Sequence, residues 1–337
     1  MRYVIIGAGA VGGTIGGRLF QAGQDVLLVA RGAHYSAMRD DGLLLRTPDE
    51  TARLAVPVAD SASDGVRLRA DDVLVLATKT QDTAAALDAV ASWPVDGGDP
   101  GGSAGSSGLP VVCAQNGVEN ERIALRRFPR VYGMLVWLPS THLRPGEVLA
   151  AGTPMSGILD LGRYPSGTDE TAGRIAAGLS AGAFASLTRP DIMRWKYGKL
   201  RVNLTNALGA VCARGPGWDE LGDRARREGV ACLDAAGIAY TTSAEERQRR
   251  GELVNYGTID GGRRGGSSSW QSLARGTGTI EADYLNGEIA LLGRIHGVPT
   301  PVNDVLQRAA RRAAAERRPP ASLTVADLTA ELPPGAG

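Results

Sequence analysis

Compact apolar runs alternate with polar, helix-period stretches through the first half of the chain. The runs "RYVIIG", "DVLLVA", "DVLVLAT" and "LPVVCAQ" are rich in valine and leucine and mostly end in turn or polar residues. Short runs that are apolar on both faces predict strands buried on both sides of a parallel sheet. Between them, "VGGTIGGRLFQAG" and "QDTAAALDAVASW" predict helices. This alternation predicts a doubly wound α/β domain. "VYGMLVWLPSTH", "GEVLAAG" and "SGILDLG" read as shorter antiparallel strands closing that domain. From about Asp191 the pattern turns helical, through "DIMRWKYGKLRVNLTNALGAVC", "LGDRARREGVACLDAAG", "IEADYLNGEIALLGRIHG" and "VNDVLQRAARRAAAERR". The expected organisation is an α/β domain over residues 1–187, an all-α domain over 188–327 and a frayed tail over 328–337. Residues 94–110, "PVDGGDPGGSAGSSGLP", have little to bury and read as a mobile surface loop.

Composition narrows the function classes. The 337 residues are 43% hydrophobic and 22% charged, as in a folded globular protein. Lysine plus arginine number 37 against 36 acids, a balance that argues against nucleic acid as the main partner. The basic run Arg311 to Arg318 reads as a solvated helix face. Cys113, Cys212 and Cys232 lack paired spacing and suit a reducing compartment, and His34, His142 and His296 are equally scattered, so no metal site is expected. Glycines interrupt the N-terminal apolar run too soon for a signal segment, and no later run is long enough to cross a membrane. A soluble cytoplasmic protein with no membrane partner is expected.

The first strand leads into "VIIGAGAVGG", which sets Gly7, Gly9 and Gly12 in a G-x-G-x-x-G pattern at the opening of a helix. Gly7 allows a tight turn, Gly9 lets the backbone approach a pyrophosphate, and Gly12 lets helix pack on strand. The helix N-terminus, with Ala10 and Val11, offers N–H groups and positive potential to phosphates. This predicts a Rossmann-type dinucleotide-binding domain ahead of the all-α C-terminal domain. The second strand ends at Arg31 rather than at the Asp or Glu that usually binds ribose hydroxyls. A guanidinium there can bind a 2′-phosphate bidentately, which favours NADPH/NADP over NAD. Lys79 and Gln81 follow one further strand and Asn116 the next, where such sheets hold their ligands. Lys79 could contact phosphate or substrate, and Asn116 the nicotinamide ribose or substrate.

The segment "RWKYGKLRVNLTN" carries two lysines and two asparagines on a helix that otherwise reads as buried. At about 100° per residue, Asn203 lies about 40° round from Lys199 and Asn206 about −20°, while Lys196 is about 60° away. Leu204 and Leu208 lie on the opposite side. An amine flanked by amides suits a carbonyl or hydroxyl oxygen, with Lys199 as general acid. Periodicity alone does not exclude Lys196. In "SSSWQSLARGTGTIEADYLNGE", the hydroxyls and nearby N–H groups of serines 267 to 269 could hold a carboxylate. Glu281 would favour a protonated lysine beside it, and Asp283 and Asn286 begin the same helix.

Taken in order, "GAGAVG", the arginine ending the second strand, "ATKTQ", "QNG", "KLRVN" and "SSSWQ…EADYLNG" resemble the ketopantoate reductase (2-dehydropantoate 2-reductase) family over nearly the whole chain. The resemblance implies a Rossmann-type domain followed by a helical one, with the site in the cleft between, and NADPH as the donor that reduces the C2 carbonyl of a 2-keto acid. It implies Lys199, rather than Lys196, as general acid. It also implies Asn203, Asn116, a serine of the 267–269 run (Ser268 or Ser269) and Glu281 as groups that bind or orient substrate, with Arg31 on the 2′-phosphate. Three departures touch the substrate side. The family's second helix asparagine falls at Ala207 here, with Asn206 one residue earlier; Trp137 stands where small polar groups are common; and the spacing from the serine run to Glu281 is one residue longer. The expected partner is a small 2-keto acid, with a homodimer left open. A relative reducing another carbonyl compound and an NADP-sensing protein without turnover are the alternative readings.

Overall fold

In a computed structural model, residues 1–61, 66–96, 103–105, 108–260 and 266–334 are described. The chain folds as two compact units, Met1–Lys196 with Ala244–Arg264, and Tyr197–Ser243 with Gly265–Gly337.

The first unit is built on a seven-stranded sheet of β1 (Arg2–Ile6), β2 (Asp25–Ala30), β3 (Val58–Asp60), β4 (Asp72–Leu76), β5 (Val111–Cys113), β6 (Val131–Met134) and β7 (Leu161–Arg163). Their order is β7-β6-β5-β4-β1-β2-β3, and all pairs are parallel except β6 with β7. The four runs read as parallel strands are β1, β2, β4 and β5, and the order doubles back at β1, as in a Rossmann-type sheet. β6 corrects the sequence reading: it runs parallel to β5, and only β7 closes the edge antiparallel. Its apolar residues are buried on both faces, the signature of an interior strand. A second sheet joins Leu43–Arg46 and Thr51–Leu54 to Ser140–Thr141 and Glu147–Ala150. On one face of the main sheet pack α1 (Ala10–Gln21) and, later, α5 (Glu170–Ala181), around Tyr3, Ile15, Leu28 and Ile175. The other face holds α3 (Thr83–Ala91) and α4 (Asn120–Leu125), around Leu74, Leu87 and Phe128. The helix α2 (Gly32–Asp41) follows β2 directly.

The division departs from the expected boundary at residue 188. Residues up to Lys196, on α6 (Ile192–Asn203), belong to the first unit, and so does Ala244–Arg264. Two buried ionic contacts account for this. Asp160, fully buried, accepts from Arg189 and from Arg249 on α9 (Ser243–Arg250), the shortest contact being 2.6 Å. Lys196 pairs with buried Glu121. Neither partner of such a pair is identifiable from local pattern.

The second unit contains α7 (Thr205–Val211), α8 (Trp218–Ala235), α10 (Ser268–Ala274), α11 (Asn286–His296), α12 (Pro301–Ala315) and α13 (Val325–Ala330). Leu204, Leu208, Leu233, Ile289 and Leu306 are fully buried in it. Half-buried Glu228 accepts the backbone N–H groups of Val302 and Asn303, capping α12 at its proline start. The Arg311–Arg318 run pairs with Asp283, Glu331 and Glu316, as a solvated face should. The expected tail is shorter than read: Leu328 is fully buried on α13, which Thr324 starts with a reciprocal capping box. The Gly/Ser segment is also not wholly loose. Val95–Asp96 pairs with Leu68–Arg69, and Ala104 is fully buried with its N–H on the Trp93 carbonyl. Residues 97–102 and 106–107 of that segment lie outside the described residues.

Candidate functional site

The glycine loop between β1 and α1 has the geometry a dinucleotide needs. Gly7 adopts φ +95°, which a side chain would strain, and a Cβ on Gly12 would run into the Gly7 carbonyl. At Gly9 a Cβ would meet nothing within 4 Å, so the loop backbone is open to a ligand there. No side chain caps α1 and no acid sits in its first turn, so the N–H groups around Ala10 and Val11 face outward with the helix dipole uncompensated. These residues fit a pyrophosphate.

Arg31 is exposed at the end of β2 and opens α2. The acid closest in register comes from the neighbouring strand: Asp60 of β3 pairs with Ala30. Reading along β2 alone misses it, because strand neighbours are a property of the sheet. His34 ties this region to the glycine loop. The Gly146 N–H donates to His34 Nδ1 at 2.9 Å, so that nitrogen is unprotonated, and Nε2–H donates to the Ala8 carbonyl at 2.7 Å. His142 stacks on His34 with ring centroids 4.2 Å apart. The histidines look scattered along the chain; the fold brings these two together. Among the described residues no His, Cys, Asp and Glu group suits a metal ion.

Lys79 sits after β4 at the start of a 3₁₀ turn (Thr80–Asp82), and Asn116 follows β5 beside Gly117, whose φ is +80°. Both are partly buried at carboxyl ends of strands, where ligands of such sheets bind. Gln115, Asn120 and Thr83 are buried beneath them, a layer for which the sequence carried no signal beyond residue type.

On α6 the two lysines part. Lys196 is buried, its Nζ 2.5 Å from Glu121 Oε1 and donating to the Gln115 carbonyl at 3.0 Å. Burial pushes the Glu121 carboxyl above its ordinary range, and Lys196 opposes that shift. Lys199, one turn on, is partly buried, and Asn203 after it is buried. Leu204 then separates α6 from α7, and its carbonyl accepts the Nδ2–H of fully buried Asn286. Leu204 keeps helical backbone angles and its N–H bonds the Leu200 carbonyl, so the chain stays helical from Lys199 through Asn203 to Asn206, whose carbonyl accepts the Ser267 hydroxyl at 3.3 Å. Ser267 also caps α10, with Ser268 as its first residue and Ser269 buried. Glu281 is buried in a 3₁₀ turn (Glu281–Tyr284) just before α11, while Asp283 accepts from Gln307 on the surface. Trp137 packs beside Leu135, Ile158 and Ile192 under the Arg250 guanidinium, so packing accounts for that departure from the family pattern.

A Rossmann-type sheet with an open glycine loop, joined to a helical unit carrying a lysine–asparagine helix face, defines a dinucleotide-dependent oxidoreductase class. The particular family follows from likeness to known proteins. Residues 3–166 match "Ketopantoate reductase PanE/ApbA" and residues 191–314 its C-terminal counterpart. The chain belongs to the ketopantoate reductase family. It is 29% identical over 316 residues to a 2-dehydropantoate 2-reductase of Halobacterium salinarum, covering 90% of this chain and 95% of that one. A PanE/ApbA family ketopantoate reductase from Ralstonia eutropha JMP134 superposes with TM-score 0.74 and 28% identity over 94% of this chain and all of that one. The fold is shared as well with D-mandelate dehydrogenase in complex with NADH and anilino(oxo)acetate, at TM-score 0.75, 21% identity and 95% coverage of this chain, 100% of that one. Among the described residues no helix is long and apolar enough to cross a membrane.

Proposed function

We propose that the protein reduces the C2 carbonyl of a 2-keto acid, ketopantoate foremost, with NADPH as donor. The observation that carries this reading is the division of labour on α6: Lys196 is taken up by Glu121, and Lys199 stands one turn before buried Asn203. The bound nicotinamide supplies the hydride equivalent to C2. Lys199 protonates the C2 oxygen as it gains charge. Asn203 orients the lysine and the oxygen, and Glu281 keeps the ammonium protonated at neutral pH. Ser268 or Ser269, with Asn206, holds the carboxylate end. Gly7, Gly9, Ala10, Val11 and Gly12 hold the pyrophosphate, Arg31 the 2′-phosphate, and Lys79 and Asn116 the nicotinamide side. The Halobacterium relative's name supports ketopantoate as substrate. A homodimer in the cytoplasm is the assembly and location this reading assumes.

The test is NADPH oxidation against a panel of 2-keto acids that includes ketopantoate. Ketopantoate is expected to give the highest kcat/KM. Turnover of another member with none of ketopantoate overturns the substrate, and NADPH binding without any turnover overturns the enzyme.

A further inference from the structure

Lys196 and Glu121 stand outside the reacting groups just assigned, yet they are among the most deeply buried charges in the protein. Their side chains are 2% and 0% exposed. A Cβ on Gly133 of β6 would lie 3.4 Å from both Glu121 Oε1 and Lys196 Cδ, so the pair is packed flush on the sheet. Buried pairs of this kind rarely gain stability over well-packed apolar residues. The second bond of the ammonium shows what else the pair does.

That bond goes to the Gln115 carbonyl. The Gln115 side chain donates to the Thr78 carbonyl at 2.9 Å and to the Thr83 hydroxyl at 2.8 Å. Thr83 donates to Asn120 Oδ1, and Asn120 Nδ2 donates to the Thr80 hydroxyl and the Asn116 carbonyl. Lys79 lies between Thr78 and Thr80, and Asn116 follows Gln115. The two strand-end loops carrying Lys79 and Asn116 are thus fastened to each other, and Lys196 fastens the assembly to α6.

We propose that Lys196, held by Glu121, is a positioning residue that sets the Gln115–Asn116 peptide and through it the nicotinamide-side group Asn116. The inference rests on the reading of Asn116 given above.

Replacing both charges, Lys196→Met with Glu121→Leu, leaves no buried charge and removes the donor to Gln115. The melting temperature is expected to stay close to wild type while the Kd for NADPH rises at least tenfold. The Kd for 2′,5′-ADP, which occupies only the adenosine side, is expected to stay constant. Thr83→Val cuts the same network from the other end, and gives the same signature if the double variant does not fold. Wild-type NADPH affinity in the folded double variant, or in Thr83→Val should the double variant not fold, overturns the inference; so does an equal loss for both ligands. Failure of wild-type protein to bind NADPH instead overturns the proposed function itself.

Discussion

The glycine loop of the first unit and the lysine helix that runs into the second come to their proposed roles in different ways. At the loop, function is a property of the backbone: a positive φ at Gly7, an open face at Gly9 and the first turn of α1. On α6 the proposed role belongs to side chains, and two lysines three residues apart differ in burial. Lys196 is buried against a carboxylate 75 positions earlier in the chain; Lys199 is partly buried. A backbone site is written in local sequence, whereas a side-chain site depends on contacts from distant segments.

The largest effect expected is at the helix. Lys199→Ala should lower kcat/KM for the preferred 2-keto acid by roughly 10²–10⁴-fold, the usual contribution of a general acid, with NADPH affinity retained. An unchanged rate would mean the two regions do not divide binding from proton transfer as described. Lys196→Met alone should instead act on stability, by about 3–5 kcal/mol, because it strands a buried carboxylate. The sign of its pH dependence follows from Glu121. Burial already raises that carboxyl's pKa, and losing Lys196 raises it further. A carboxyl with a raised folded pKa binds its proton more tightly folded than unfolded, so its cost vanishes below the unfolded value near 4.5 and grows as pH rises above it. Urea unfolding of the variant should show a larger deficit at pH 8 than at pH 5; the reverse order would refute the buried pair.

On the backbone side the effects are smaller. Arg31→Ala should cost NADPH binding about 1.5–3 kcal/mol, the range for charge-assisted hydrogen bonds, and leave NADH affinity unchanged. Asp60→Ala should tighten NADPH, since Asp60 of β3 lies in register with Ala30, next to the Arg31 proposed to hold the 2′-phosphate. Equal losses for both cofactors in Arg31→Ala, measured by fluorescence titration, would remove the basis for NADPH preference. Smallest are the caps. Asp169→Ala at the start of α5 and Thr324→Ala at α13 should each cost about 1 kcal/mol of stability in denaturant melts without moving NADPH affinity.

Much was legible beforehand. Six of the seven strands of the main sheet, the glycine loop and the main helices of the second unit stand where apolar periodicity and glycine spacing put them. The misreadings share a cause. The reading of β6 as antiparallel fails because pairing direction is set by the strand beside it, not by the run itself. Asp60 is not visible from β2 because 30 residues separate it from Ala30, and only the sheet brings those two into register.

By itself, then, the sequence determined the alternating α/β and helical halves, the dinucleotide loop and the family, because burial periodicity and backbone conformational limits are local and act on each residue where it stands. The tertiary structure decided which lysine is buried against Glu121, what fastens the loops of Lys79 and Asn116, and where one unit ends and the other begins. Those outcomes depend on buried ion pairs and hydrogen bonds whose partners are chosen by the folded chain, and no spacing along it encodes them.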